Sequence, residues 1–239
     1  MSVGTALEEI GVAEDGLVIA GARLVLDPAG ALWWPAERML IVADLHLEKG
    51  SSFAARGVPL PPYDTRATLA LLTQIVARRN ARTIVALGDS FHDRRGADRL
   101  GEEERASIAA LMRGREMIWV AGNHDPNPMP GLGGVHVDEL RAGPLTLRHE
   151  PSGDGAGEIA GHFHPVARLV VRGRGLRRRC FATDGARLVM PALGAYAGGL
   201  NIRDAALARL FPGAYAAHLV GGARIYRIAH HACLPDRAG

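Results

Sequence analysis

Runs of apolar and β-branched residues recur along the first half of the chain, and each stops at a polar cluster. Met39-Leu40-Ile41-Val42-Ala43 stops at Asp44-Leu45-His46. Thr83-Ile84-Val85-Ala86-Leu87 stops at Gly88-Asp89-Ser90-Phe91-His92-Asp93, and Met117-Ile118-Trp119-Val120-Ala121 at Gly122-Asn123-His124-Asp125. Unbroken runs of this length predict buried strands. Between the first two, Leu69, Leu72, Ile75 and Val76 recur at three- and four-residue spacing up to Arg78-Arg79, which predicts a helix with Asp64 as its N-cap. Between the second and third, residues 102–113 carry acidic residues in the first turn and basic ones in the last, the order a helix dipole favours. Strand, helix, strand, helix, strand is the βαβ arrangement of a parallel sheet.

The flanking segments read differently. Residues 17–26 are largely apolar, Asp27-Pro28-Ala29-Gly30 is a turn, and residues 31–34 resume a strand pattern before Pro35-Ala36-Glu37-Arg38 leads into the first run. Residues 47–57, followed by Pro59, Pro61 and Pro62, are too rich in turn formers for a continuous helix and predict a loop over the polar clusters. From Val135 onward the pattern is short β-type runs at 135–140, 145–149, 158–161, 166–171, 179–183, 187–190 and 223–228, with one helical turn at 205–210. A parallel α/β half followed by a β-rich half predicts an α/β protein of two packed mixed β-sheets flanked by helices. No linker or repeat divides the chain, so residues 1–239 read as a single domain in which about 39–165 carries the polar clusters and 166–239 completes the β-rich half.

Composition narrows the partners. The net charge of +3 is mild, but Arg168, Arg172, Arg174, Arg177, Arg178 and Arg179 fall close together, which suits a polyanion or a solvated strand face. Two cysteines, Cys180 and Cys233, supply neither a disulfide framework nor a thiolate metal site, and point to a reducing cytoplasm. The acidic start, with Glu8, Glu9, Glu14 and Asp15, is not a signal peptide, and no apolar run is long enough to predict a membrane span.

The chemistry lies in what stands at the strand ends, where open α/β sheets place their sites. To the three clusters the sequence adds His149 and Gly161-His162-Phe163-His164. If the backbone stays extended, Asp44 and His46 point the same way and can grip one ion. The donor set Asp44, His46, Asp89, Asn123, His149, His162 and His164 mixes oxygen with imidazole nitrogen and lacks thiolate, which suits manganese, iron or zinc. Seven donors exceed one tetrahedral ion. Shared through Asp89, they divide into Asp44, His46 and His164 for one ion and Asn123, His149 and His162 for another, leaving room for a bridging water that attacks a phosphoryl group in line. His124 stands next to a donor, so its ring would face the substrate and either stabilise the phosphorane-like charge or protonate the departing alkoxide, while His92 would bond the phosphate or orient His124. Asp125 reads as a carboxylate that holds backbone or a donor histidine, and Arg94 and Arg95 as contacts to a nucleic-acid backbone. His136, His218, His230 and His231 lack metal spacing and read as structural.

Taken in order, Asp-x-His, Gly-Asp, Gly-Asn-His-Asp, a lone His and Gly-His-x-His resemble the binuclear metallophosphoesterase (calcineurin-like) superfamily from Asp44 to His164. The resemblance implies its fold, with catalytic metals in a β-sandwich flanked by helices. More closely, Ala43-Asp44-Leu45-His46-Leu47-Glu48-Lys49-Gly50, Leu60-Pro61-Pro62-Tyr63-Asp64-Thr65 and Leu87-Gly88-Asp89-Ser90-Phe91-His92-Asp93 are similar to the DNA-ligase-associated phosphoesterases called PdeM. That likeness implies a manganese-dependent endonuclease incising single-stranded DNA in repair, alongside a DNA ligase, a helicase and an exonuclease. The histidine after Gly-Asp-x-Phe also resembles that of SbcD-type nucleases, which implies a substrate-facing His92. Because one such site serves many esters, two other readings stand beside this one: a phosphoesterase for nucleotides or cyclic nucleotides, and a non-catalytic nucleic-acid-binding subunit.

Overall fold

The apolar runs fold as strands covered on both faces. The computed structural model describes residues 11–12, 16–58, 60–127, 129, 131–153 and 155–236; Glu8, Glu9, Glu14, Asp15 and Pro59 lie outside them. After β1 (Gly11–Val12), seven strands form one sheet in chain order: β2 (Leu17–Ile19), β3 (Ala22–Leu26), β4 (Leu32–Trp34), β5 (Met39–Ala43), β6 (Thr83–Leu87), β7 (Glu116–Val120) and β8 (Val135–Val137). Neighbours from β2 to β5 are antiparallel, and those from β5 to β8 are parallel. Between β5 and β6 come helices α1 (Lys49–Ala54) and α2 (Asp64–Arg79); between β6 and β7 come α3 (Gly96–Arg99) and α4 (Glu102–Met112).

The remaining strands are β9 (Leu140–Ala142), β10 (Leu145–Arg148), β11 (Glu158–Ala160), β12 (Val166–Val171), β13 (Arg174–Thr183), β14 (Leu188–Val189), β15 (Ala216–Val220) and β16 (Ile225–Ala229), with the short helix α5 (Ala205–Ala208) before β15. They form a second mixed sheet in the order β1-β16-β15-β13-β14-β11-β10-β9, with β12 paired to β13. Three layers of core follow from strand alternation. Leu40, Val42 and Ala86 pack with Leu72, Ile75 and Ile108 of the helices, while Ile41, Val85 and Leu87 turn the other way onto Leu147, Ile159 and Phe181 of the second sheet. Cys180, Ala182 and Ala217 line its outer face with Leu207 and Phe211, and the two cysteines are buried and unbridged.

Register sets the level at which the clusters emerge. Ala43 pairs with Leu87, and Leu87 with Val120, so Asp44, Gly88 and Ala121 leave the first sheet side by side. In the second sheet Arg148 pairs with Ala160, so His149 and Gly161 leave together. The two rims are joined where the His149 Nδ1–H donates to the Leu87 carbonyl at 3.0 Å.

Several expectations are corrected. The segment after His46 holds the short helix α1, because its ends are tied: Glu48 N–H donates to Thr65 Oγ1 at 2.8 Å and Gly50 N–H to Asp64 Oδ2 at 3.0 Å. Asp64 therefore lies inside α2 and serves α1, while Tyr63 occupies the N-cap position of α2. Strand β13 begins five residues before the expected 179, since pairing with β12 extends it through exposed arginines that carry no apolar signal. Among the described residues no helix is long and apolar enough to cross a membrane.

The predicted turn after β3 is anchored by a fully buried carboxylate. Asp27 accepts from Ala29 N–H at 2.9 Å, from Arg78 at 2.8 and 2.9 Å, and from Arg79 at 3.0 and 2.9 Å, locking the end of α2 to the sheet. Burial alone would raise its pKa, but the Ala29 N–H and the two guanidiniums outweigh burial and lower it. A folded-state pKa below the unfolded value contributes stability above the unfolded pKa, near 4, and that contribution is lost as pH falls through the folded one. Asp27→Ala is expected to lower unfolding free energy by about 3 kcal/mol at pH 7, with the gap narrowing below about pH 4 in urea titrations.

Candidate metal centre

Two buried carboxylates form the floor of the site. Asp44 is 0% and Asp89 is 3% exposed. Asp44 accepts the backbone N–H of His162 at 3.1 Å, and Asp89 Oδ1 accepts that of His124 at 2.9 Å. The residues that carry the polar side chains turn sharply out of their strands: Asp44, His46, Asp89, His162 and His164 have φ of 53°, 42°, 45°, 70° and 46°. Left-handed backbone at non-glycine residues is strained and collects at functional sites. The extended geometry expected for Asp44-Leu45-His46 is thereby corrected. The two side chains converge because the chain kinks at both residues and is stitched to its neighbour, His46 N–H donating to Asp89 O and Leu47 N–H to Ser90 O, each at 2.9 Å.

All seven expected donors gather in this pocket, in two groups divided by Asp89. On one side His164 Nε2 lies 3.1 Å from Asp44 Oδ1 and 3.2 Å from His46 Nε2, and His46 Nε2 lies 3.9 Å from Asp89 Oδ2. On the other, His149 Nε2 lies 3.4 Å from Asp89 Oδ1 and 2.8 Å from Asn123 Oδ1, with His162 Nδ1 at 3.1 Å from that amide oxygen. The two oxygens of Asp89 thus face different groups.

This arrangement fits cations. His149 donates its Nδ1–H to Leu87 O and turns Nε2 to the Asn123 oxygen at 2.8 Å and to Asp89 Oδ1 at 3.4 Å. An imidazole nitrogen gathered with a carboxylate and an amide oxygen is the mixed donor set that divalent ions of intermediate hardness take. Burial, reinforced by the neighbouring His164 and His124, pulls the His46 pKa down to about 2, and burial with His149 nearby lowers that of His162. Both rings are therefore neutral, with lone pairs to offer.

The remaining site residues lie to one side. The His124 Nδ1–H donates to the backbone carbonyl of His92 at 2.5 Å, leaving Nε2 3.8 Å from Asp89 Oδ2 and the side chain 36% exposed. Orientation of His124 thus comes from the main chain of residue 92. The His92 ring stands 5.3 Å from the His124 ring with a buried Nδ1 that has no hydrogen-bond partner among the described residues, its pKa lowered to about 4 by burial and by Lys49. Asp125 Oδ2 accepts Phe91 N–H at 3.0 Å, the backbone role expected of it. Arg94 and Arg95 are exposed on the cleft over His92 and His124, which Arg56, in the turn after α1, and the half-buried Arg99, at the end of α3, also line; sequence reading missed both because they lie outside the polar clusters.

The arginine strand is divided. Alternation along β13 puts Arg178 on the face opposite Arg177 and Arg179. Arg177 and Arg178 are exposed, whereas the Arg179 guanidinium is turned inward to the carbonyls of Ala192 at 2.7 Å and Ala29 at 3.5 Å, where burial lowers its pKa. Arg179 is a structural clamp, so its expected role on nucleic acid is corrected. His136 stacks on Trp119 and His230 on Tyr215, in keeping with structural roles.

The sequence matches the family model described as calcineurin-like phosphoesterase over residues 37–173. Among solved structures, the chain is similar to the Pseudomonas putida nuclease MPE, with 31% identity over 89% of this chain and 98% of that one and a TM-score of 0.69. It also has a distant likeness to Yfce, a phosphoesterase from E. coli, with 14% identity over 80% of this chain and 98% of that one and a TM-score of 0.39, too low to bear on function. No curated protein matches the chain.

Glycines let the backbone approach the donors. A Cβ on Gly161 would stand 2.6 Å from Asp44 Oδ2. Gly161→Ala is expected to leave far-ultraviolet circular dichroism intact while weakening manganese binding about ten- to a hundredfold, the scale of losses on disturbing the residues that hold metal ligands, as read by calorimetric titration.

Proposed function

This chain belongs to the calcineurin-like phosphoesterase family and is a metal-dependent phosphoester hydrolase, and from that premise we propose that it is a two-metal phosphodiesterase cutting single-stranded DNA. The observation that carries the reading is Asp89, whose two oxygens face separate donor groups. The 31% identity to a protein described as a nuclease supports the substrate class. Asp44, His46, His164 and Asp89 Oδ2 would hold one cation, and Asn123, His149, His162 and Asp89 Oδ1 the other; manganese, iron and zinc all suit this mixed oxygen and imidazole set, and the family resemblance favours manganese. When bound, two such ions would supply Lewis acidity to the phosphoryl oxygens and lower the pKa of the attacking water. A role in DNA repair in the cytoplasm, beside a ligase, a helicase and an exonuclease, and one domain spanning 1–239 complete the reading.

The chain's own residues do the rest. Because His124 Nδ1–H is committed to the His92 carbonyl, Nε2 is the atom that carries a proton to the departing oxygen. Asp125 fixes the turn that bears His92 by holding Phe91 N–H. The His149 Nδ1–H bond to Leu87 fixes that ring's tautomer and keeps Nε2 toward Asp89.

Manganese-loaded protein is expected to make internal cuts in single-stranded DNA. Turnover of nucleotides or cyclic nucleotides without cutting would favour a small-molecule phosphoesterase, and binding without hydrolysis of any ester, a chromogenic diester included, would favour a binding subunit. His124→Ala should lower kcat by about 10²–10⁴ with metal content retained. His92→Ala should cost less, because the carbonyl that orients His124 survives; an equal loss would place His92 in the proton transfer itself. Replacing Arg177 and Arg178 with Ala should flatten the log-log salt dependence of DNA binding by about 0.7 for each phosphate that is no longer neutralised, while an unchanged slope would make them a solvated strand face.

A further inference from the structure

The surroundings of the donor cluster are electrically lopsided. On the His92 and His124 side lies an open cleft of about 590 Å³, rimmed by Arg56, Arg94, Arg95, Arg99 and Asp93. Arg99 is neutralised by Asp93 through bonds of 3.0 and 2.8 Å. That leaves Arg56, Arg94 and Arg95 uncancelled, and among the described residues the Arg94 and Arg95 guanidiniums have no partner. Arg56 is held ready by bonds to Ser52 O at 3.2 Å and Ser52 Oγ at 2.9 Å, and lies 4.8 Å over the Phe53 ring. On the Asn123 and His149 side lies a groove of about 420 Å³ rimmed by Asp138, Glu139, Arg148 and Glu150. Glu139 is paired with both Arg148 and Arg141, and Arg148 also lies 3.7 Å from Glu158, leaving Asp138 and Glu150 as the carboxylates of this rim without an arginine or lysine partner among the described residues; the Glu150 side chain is 64% exposed and 3.6 Å from His162 Nε2.

A polyanionic strand crossing the site therefore meets attraction on one side and repulsion on the other. We propose that the strand is gripped on only one side of the phosphodiester being cut, along Arg56, Arg94 and Arg95, and gains no affinity from phosphates on the side of Asp138 and Glu150. Since His124 lies on the basic side, the gripped portion is the one that departs. This inference rests on the polynucleotide reading above and adds a direction to it.

The test uses two single-stranded thymidine oligomers of equal length, each with one cleavable phosphodiester at its centre. In one, the linkages on the 5′ side are charged phosphorothioates and those on the 3′ side neutral methylphosphonates; in the other the two are exchanged. Manganese-loaded protein should cut one isomer with a KM about tenfold lower at low salt, the scale of several screened charge interactions. The effect should sit in KM and not in kcat. The Arg94→Ala/Arg95→Ala double variant and Arg56→Ala should each shrink the ratio, and Glu150→Gln should shrink it by improving the disfavoured isomer. Equal KM for the two isomers, or a ratio that all these variants leave intact, overturns the one-sided grip. Failure to cut any strand, including one made wholly of phosphodiesters, overturns the polynucleotide reading instead.

Discussion

Two negative charges are buried where the rims of the sheets meet, and among the described residues no lysine or arginine reaches them. The ion-pair partners of Asp44 and Asp89 are histidine rings alone, His149 and His164 for the first and His46, His124 and His149 for the second. Taking a carboxylate out of water costs several kcal/mol unless positive charge compensates. Burial holds the His46 ring neutral, so that ring cannot supply the charge. Divalent cations can, and the donors are arranged as though around them. The left-handed kinks and the glycine at 161 are features that would otherwise only destabilise the fold; here they bring carboxylate, amide and imidazole to common points.

The two sheets divide the labour. The first delivers Asp44, Asp89 and Asn123 from neighbouring parallel strands in register, and the second delivers His149, His162 and His164 from beyond β10 and β11. Neither sheet alone brings the seven residues together, so assembly of the pocket depends on packing of Ile41, Val85 and Leu87 against Leu147, Ile159 and Phe181. The His149–Leu87 hydrogen bond is both a tie between sheets and the device that sets the tautomer of a donor. Around this centre the charge is asymmetric, with arginines from the 94–95 turn and the turn after α1 on one flank and carboxylates following β8 and β10 on the other.

Much of this was legible because the signal was local and ordered. Buried parallel strands read as unbroken apolar runs, and each stopped at a residue with metal-binding chemistry, so the seven residues that converge in the pocket and the sheet that aligns their first half were visible in the sequence. What escaped depends on contacts across the chain. The helix α1 exists because Thr65 and Asp64 tie its ends, which its own composition could not reveal. Arg179 resembled its neighbours in sequence and differs from them only through the carbonyls it meets in space. The strand β15 (Ala216–Val220) breaks a short apolar stretch with His218 and is placed by its antiparallel partners β13 and β16. The orientation of His124 by a main-chain carbonyl leaves no trace in side-chain identity.

The most direct test is a crystal structure of the manganese-loaded protein with anomalous scattering collected at the manganese edge. Two anomalous peaks are expected about 3.5–4 Å apart, one among Asp44, His46 and His164 and one among Asn123, His149 and His162, with Asp89 between them. A single peak, or peaks away from Asp89, would contradict a centre built on one carboxylate shared by two cations.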